Sequence, residues 1–71
     1  MDSSKQETIG KKIKKRRHEL KLMQEGLARK ADVSYTTFVK IESGVVKSPS
    51  IQTIMKIADG LEISLDQLIK G

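Results

Sequence analysis

The sequence predicts an all-α fold, a compact bundle of about five short helices. Apolar residues recur at helical spacing along most of the chain, as at Ile51, Ile54 and Ala58. Serine or threonine precedes several of these stretches, where a hydroxyl can cap a helix, and Gly44 stands where one of them would end. The length suits one small domain, residues 1–71, with no room for a sizeable catalytic cleft.

Composition excludes several classes of function. The chain has no cysteine and one histidine, so it offers no disulfide, no thiolate nucleophile and no zinc site. No Ser, Cys or paired carboxylate accompanies His18, and we expect neither enzymatic activity nor a metal or cofactor. We expect no signal peptide, because Met1–Glu7 is polar, and no apolar run approaches the roughly 18 residues that span a bilayer. We therefore expect a cytoplasmic, nucleoid-associated protein, with residues 1–6 frayed.

Positive charge is concentrated at one end of the chain. The net charge is +5, from 14 Lys and Arg against 9 Asp and Glu. Residues 1–21 hold eight of the bases and three of the acids, whereas the remaining residues hold six of each. This asymmetry indicates a polyanion as partner, although a solvated lysine-rich helix would have the same composition.

A first helix is predicted from a Thr8 cap to about Lys21. Its apolar stripe consists of Ile9, Ile13 and Leu20. Arg16 and Arg17 flank this stripe, and one of them needs an anion because an unpaired buried charge is costly. Ideal helix geometry places Arg16 nearer the centre of the stripe. The expected partner is Glu42, on the inner side of a later helix.

The next predicted helix covers residues 24–31 and presents a small apolar patch that lets another helix pack closely. The patch consists of Leu27, Ala28 and Ala31. Met23 precedes this helix and cannot cap it, and Gly26 weakens its interior by about 1 kcal/mol relative to alanine. Asp32 stands at the sharp turn that follows, where aspartate tolerates left-handed backbone angles.

A third helix is predicted from Tyr35 to Ser43, with Ser34 as its N-cap and Gly44 as its end. Its inner face consists of Phe38, Ile41 and Glu42, and its outer face of Thr36, Lys40 and Ser43, flanked by Thr37 and Val39. A solvated helix face more often carries Glu and Lys pairs. Short hydroxyl side chains with one cation can instead approach the base edges of a major groove. Residues 24–44 therefore form a predicted helix-turn-helix.

A loop with Pro49 leads to a fourth helix over about Ile51–Gly60, capped by Ser50. The residues at core spacing in this helix are Ile51, Ile54, Met55 and Ala58. Lys47 and the free amides after Ser50 form a possible phosphate clamp, because a helix N-terminus attracts anions.

Ser64 and Gln67 form a capping box for a last helix. The segment from residue 61 to 71 is rich in aliphatic side chains for a chain end. Part of it completes the core, but some side chains could form an apolar strip that a second copy covers. The candidate dimer contacts are Ile63, Leu65 and Ile69.

The segment LMQEGLARKADVSYTTFVKIESG, residues 22–44, resembles the DNA-binding core of the phage-repressor, or Cro-like (Xre), helix-turn-helix family. The resemblance continues through SPSIQTIMKIADGLEISLDQLI and covers about Ile9–Ile69. It implies a lambda-repressor-like DNA-binding domain. The expected function is sequence-specific regulation of transcription by binding double-stranded DNA. The expected form is a homodimeric repressor on a near-palindromic operator, with helix 35–43 in the major groove.

The resemblance also implies roles for particular residues. The residues expected at base edges or in the groove are Tyr35, Thr36, Thr37, Val39 and Lys40. Those expected at phosphates are Gln24, Ser34, Ser43, Lys47 and Ser50. In the family the residue matching Gln24 also braces the front of the recognition helix, here Tyr35. Helix geometry favours Arg16, but the resemblance places the arginine of the structural ion pair with Glu42 at Arg17, and we predict the Arg17–Glu42 pair.

Two other classes of function are weighed against this one. A protein-interaction module, such as an antitoxin, could use the same fold to bind a partner protein, and the weak second helix leaves this alternative open. A membrane-surface helix over residues 9–21 is disfavoured because the segment lacks Trp and Phe and its apolar stripe is narrow. Single-stranded nucleic acid is disfavoured because one Tyr and one Phe form no stacking platform.

Overall fold

A computed structural model describes residues 8–70 and shows five α-helices. The helices are α1 (Ile9–Glu19), α2 (Gln24–Ala31), α3 (Tyr35–Ser43), α4 (Ile51–Gly60) and α5 (Leu65–Lys70). The all-α fold predicted from the sequence is confirmed. The expectation of a frayed start at residues 1–6 lies outside the described residues, as does Gly71.

Side-chain hydroxyls begin α1, α3 and α4 as predicted. Thr8, Ser34 and Ser50 each accept a hydrogen bond, 3.2 Å long, from the backbone N–H three residues later. The capping box before α5 is also present, since Ser64 and Gln67 each accept from the other's backbone N–H. No side chain caps α2, which follows Met23. Local hydrogen bonding therefore determines where most of these helices start.

The turns depend on left-handed backbone conformations. α1 ends at Glu19, before the predicted end at Lys21, because Lys21 adopts a φ of 58° and leaves the helix. Asp32 has φ 60° and ψ 45°, the left-handed turn expected between α2 and α3. Gly44 ends α3 with a φ of 90°, which glycine adopts without strain.

The buried core is contributed by all five helices and by Leu61, which follows α4. Its members are Ile13, Leu27, Ala28, Ala31, Phe38, Ile41, Ile54, Ile57, Ala58, Leu61 and Leu68. The prediction that Ile51 and Met55 belong to the core is wrong, because they are 60% and 54% exposed. The buried side of α4 is centred on Ile54 and Ile57, and no helix within residues 8–70 covers the neighbouring stripe.

An exposed ion pair links α2 to the turn between α4 and α5. Lys30 Nζ lies 2.6 Å from Glu62 Oε2. The hydrogen bond from Lys30, together with its positive charge, holds the pKa of the Glu62 carboxyl below its usual range. Because both side chains are exposed, such a pair contributes little to stability.

The backbones of α1 and α3 approach closely at Gly10. A Cβ atom at this position would lie 2.5 Å from the carbonyl oxygens of both Ile41 and Glu42. Real Cβ atoms do not approach backbone oxygens so closely. Gly10 therefore lets α1 rest directly on the last turn of α3, and this contact sets the position of α3 in the bundle.

We expect Gly10→Ala to destabilise the protein by about 1–3 kcal/mol, because the added methyl group overpacks a contact between two backbones. The matched control is Gly26→Ala, since nothing lies within 4 Å of a Cβ there. This control should stabilise the fold by about 0.4–1 kcal/mol. Urea denaturation of both variants measures the effects, and a Gly10→Ala protein as stable as wild type would contradict the close contact.

Candidate nucleic-acid interface

The turn between α2 and α3 holds the two helices against each other. Val33 donates a backbone hydrogen bond to the carbonyl of Ala28 at 2.9 Å, across the left-handed turn at Asp32. Phe38 and Ile41 bury the inner side of α3. The two helices therefore pack as one unit that leaves the outer face of α3 exposed.

The outer face of α3 carries short polar side chains. Tyr35 is half exposed, at 50%, and Val39 is half-buried. The other predicted groove residues on this face, Thr36, Thr37 and Lys40, are exposed, as is Ser43. A face of this composition presents hydroxyl groups, methyl groups and one cation to a partner.

No carboxylate interrupts this face. Glu42, the acidic residue of α3, is turned into the protein, where its side chain is 3% exposed. The Arg17 side chain beside it is 8% exposed. Lys40 therefore supplies the formal charge on the outer side of α3, and that charge is positive.

Arg17 and Glu42 form a two-point ion pair in the interior. Arg17 Nε donates to Glu42 Oε2 at 2.8 Å, and Arg17 Nη2 donates to Oε1 at 3.0 Å. Nη1 donates to the carbonyl of Leu22 at 2.7 Å, which holds the start of α2 as well. Arg16 instead donates to the carbonyl of Leu61 at 3.1 Å. The structure thus has the Arg17–Glu42 pair that the resemblance implied, and not the Arg16 pairing that ideal helix geometry favoured.

Gln24 binds the buried carboxylate of Glu42. Its amide Nε2 donates to Glu42 Oε1 at 2.8 Å. Within residues 8–70 the structure shows no hydrogen bond from Gln24 to Tyr35, and the expected contact of Gln24 with a phosphate stays a prediction. Glu42, bound by Arg17 on one side, faces the first turn of α2. Gln24 therefore joins α2 to the same buried carboxylate.

Three serines expected at phosphates are engaged within the chain. Ser34 and Ser50 donate to the hydroxyls of Thr37 and Thr53, at 2.8 and 2.9 Å, in addition to capping their helices. Ser43 donates to the carbonyl of Lys40 at 3.2 Å. Lys47 is exposed in the loop after α3 and lines a cleft together with Ser43. Unlike the three serines, Lys47 has a side-chain nitrogen that makes no hydrogen bond or ion pair within residues 8–70.

The helix-turn-helix geometry agrees with a family profile. The profile of HTH_3, described as helix-turn-helix, matches residues 13–68, well over half of the chain. The chain belongs to this Xre/Cro-like helix-turn-helix family. This membership confirms the resemblance seen in the sequence.

Two solved structures are similar to this helix-turn-helix protein. One is a complex of SinR protein with SinI protein, and the other is SinR, described as the master regulator for biofilm formation, in complex with DNA. Each matches 87% of this chain at 34% identity with a TM-score of 0.83. This chain spans 60% of the matched chain in the first structure and 98% in the second. Comparison with curated protein sequences gives no match.

Among residues 8–70, none of the helices is long and apolar enough to cross a membrane. The same residues contain no group of three or more His, Cys, Asp or Glu side chains that could hold a metal ion.

The helix-turn-helix protein has a second exposed surface, which is apolar. Ile69, a predicted dimer contact, is 47% exposed, whereas Ile63 and Leu65 are half-buried against the core. Ile51 lines a cleft together with Ile69. Helical periodicity did not reveal that Ile51 is exposed, because its spacing from Ile54 is also that of a core residue.

We expect Glu42→Ala to destabilise the protein by roughly 3–5 kcal/mol, because it leaves the buried Arg17 without a counter-charge. The matched control is Glu19→Ala, which removes an exposed partner of Arg16 and should change stability by less than about 1 kcal/mol. Chemical denaturation compares the two variants with wild type. If Glu42→Ala unfolded at the wild-type denaturant concentration, the ion pair would not be a determinant of stability.

Proposed function

We propose that this protein binds double-stranded DNA sequence-specifically and regulates transcription as a homodimeric repressor, without catalysis and without a cofactor. Its family consists of DNA-binding regulators. The observation that carries the proposal is the outer face of α3, which is polar, short-chained and free of carboxylates because Glu42 is buried. An acidic face would be repelled by phosphates on both sides of a groove, whereas this one is not.

In this proposal the N-terminal half of α3 enters the major groove. Lys40 suits the O6 and N7 acceptors of guanine, and the methyl groups of Thr36 and Val39 suit the C5-methyl of thymine. Tyr35 and Thr37 complete the contact at the front of the helix. Buried residues fix the position of α3 in the protein. These side chains would therefore meet the base edges in a preorganised geometry.

Contacts to phosphates would fix the orientation of the domain on the duplex. Gln24 is held by Glu42 through one N–H of its amide, which leaves the other N–H for a phosphate oxygen. Lys47 would contact the strand beside the end of α3, and Ser43 would do so once its hydroxyl turns from the carbonyl of Lys40. Ser34 and Ser50 are engaged as caps, so a phosphate there would meet backbone N–H groups of the first helical turn.

The apolar surface suits a second copy of the chain. Ile51, Met55 and Ile69 are each about half exposed and stand on adjoining helices. We propose that Ile69 belongs to the dimer contact, with the half-buried Ile63 and Leu65 at its edge. A two-fold dimer presents two copies of α3, so its operator would be a near palindrome with half-sites about 34–36 Å apart. Occupation of that site would exclude other proteins from the duplex.

Alanine substitutions should separate base reading from phosphate binding. Thr36→Ala or Lys40→Ala should relax the preference at one operator position by about 1–3 kcal/mol, because each removes a contact to a base edge. Lys47→Ala should weaken binding to all sequences alike and reduce the dependence on salt. Selection of duplexes from a random library identifies the operator, and gel shifts on operator and random DNA measure the differences. Equal losses on both DNAs for all three variants would contradict the assignment.

The dimer contact predicts a change in oligomeric state. Ile69→Lys should shift the protein from dimer to monomer, because it places a charge in an apolar contact. The control is Met23→Lys, an equally charged change at an exposed residue outside this surface. Sedimentation equilibrium, with and without a palindromic duplex, measures the association. Identical association of wild type and Ile69→Lys would exclude Ile69 from the interface.

A further inference from the structure

A basic cleft lies between the first half of α1 and the end of the recognition helix. Lys11 and Lys14 line it from α1, Ser43 lines it from α3, and Lys47 lines it from the following loop. All four residues are exposed. Neither Lys11 nor Lys14 was among the phosphate contacts expected from the sequence.

Backbone packing brings these lysines to the recognition helix. The absence of a side chain at Gly10 lets α1 lie against the carbonyl oxygens of Ile41 and Glu42, so the next residue, Lys11, stands beside the last turn of α3. Val46 donates a backbone hydrogen bond to the carbonyl of Lys40 at 2.9 Å, which folds the loop back onto the same turn. The cleft is therefore continuous with the end of α3 and is held by main-chain contacts on both sides.

The charge of the cleft is positive. Among residues 8–70 the acidic residue that lines it is Glu42, whose carboxylate is buried and bound by Arg17 and Gln24. Over residues 8–70 the structure shows no ion pair for Lys11, Lys14 or Lys47. Three ammonium groups that make no ion pair within residues 8–70 therefore line one cleft, an arrangement that complements a row of phosphates.

We propose that Lys11 and Lys14 bind the phosphates that flank the recognition helix, and so extend the contact of Lys47 along the DNA backbone. This inference rests on the proposed binding of duplex DNA by α3. When α3 occupies the groove, its end borders the sugar-phosphate strand, and the cleft lies next to that end. Lysine suits this role because a flexible ammonium group binds phosphate without reading sequence.

The competing explanation is structural. Lysines near the C-terminal end of a helix stabilise its negative dipole, and Lys11 and Lys14 stand near the end of α3. A role of that kind would affect the melting temperature and would leave the salt dependence of DNA binding unchanged. The two explanations therefore differ in a measurable quantity.

The test compares two double variants of equal charge. Lys11→Gln with Lys14→Gln removes the two cations of the cleft, and Lys15→Gln with Lys56→Gln removes two exposed cations outside it. Fluorescence anisotropy with a random-sequence duplex, over a series of KCl concentrations, gives the slope of log K against log salt concentration. Each lost phosphate contact reduces this slope by about 0.9, so the cleft variant should lose about 1.8 and the control much less.

Thermal melting of the same proteins completes the experiment. A shallower slope in the cleft variant alone supports the inference. Equal slopes for the cleft variant and wild type overturn it, and a lower melting temperature with an unchanged slope identifies the structural role instead. If wild type bound no duplex at any salt concentration, the proposed function itself would fail and this inference with it.

Discussion

The buried ion pair between Arg17 and Glu42 is the interaction on which the rest of this structure depends. It joins α1 to α3 through two hydrogen bonds, and Gln24 adds α2 to the same carboxylate. A buried charge is costly unless its hydrogen-bonding groups are satisfied, and no buried side-chain polar atom among residues 8–70 lacks a partner. Because the alternative is an unpaired charge in the core, the relative positions of these three helices are strongly specified.

The same interaction shapes the outer surface. Removing Glu42 from solvent leaves the exposed side of α3 without negative charge, so the element that stabilises the core also prepares the face that would meet DNA. Small residues permit the helices that surround this interaction to pack closely. Gly10 brings α1 onto α3, and a Cβ at Gly60 would lie 3.1 and 3.2 Å from side-chain atoms of Leu27 and Ala31. The close contacts at Gly10 and Gly60 therefore stabilise the fold and also fix the helices that carry the outer face of α3.

The uncapped α2 shows how packing replaces local hydrogen bonding. No side chain caps its N-terminus, and a Cβ atom at Gly26 would have no neighbour within 4 Å. The helix forms nonetheless because Leu27, Ala28 and Ala31 are buried in the core and Gln24 is bound to Glu42. Tertiary contacts outweigh the weak local preference, as is usual for short helices.

The sequence by itself determined the family, the five helices and most of their ends, because caps and left-handed turns involve residues a few positions apart. It also determined that Phe38 and Ile41 face inward and Thr36 and Lys40 outward. The resemblance pointed to Arg17 as the partner of Glu42, but only the tertiary structure decided that Arg16 meets the carbonyl of Leu61, that Ile51 is exposed, and which lysines of α1 stand beside α3. Each of these depends on which helix covers a given side, and periodicity along one helix carries no information about its neighbours.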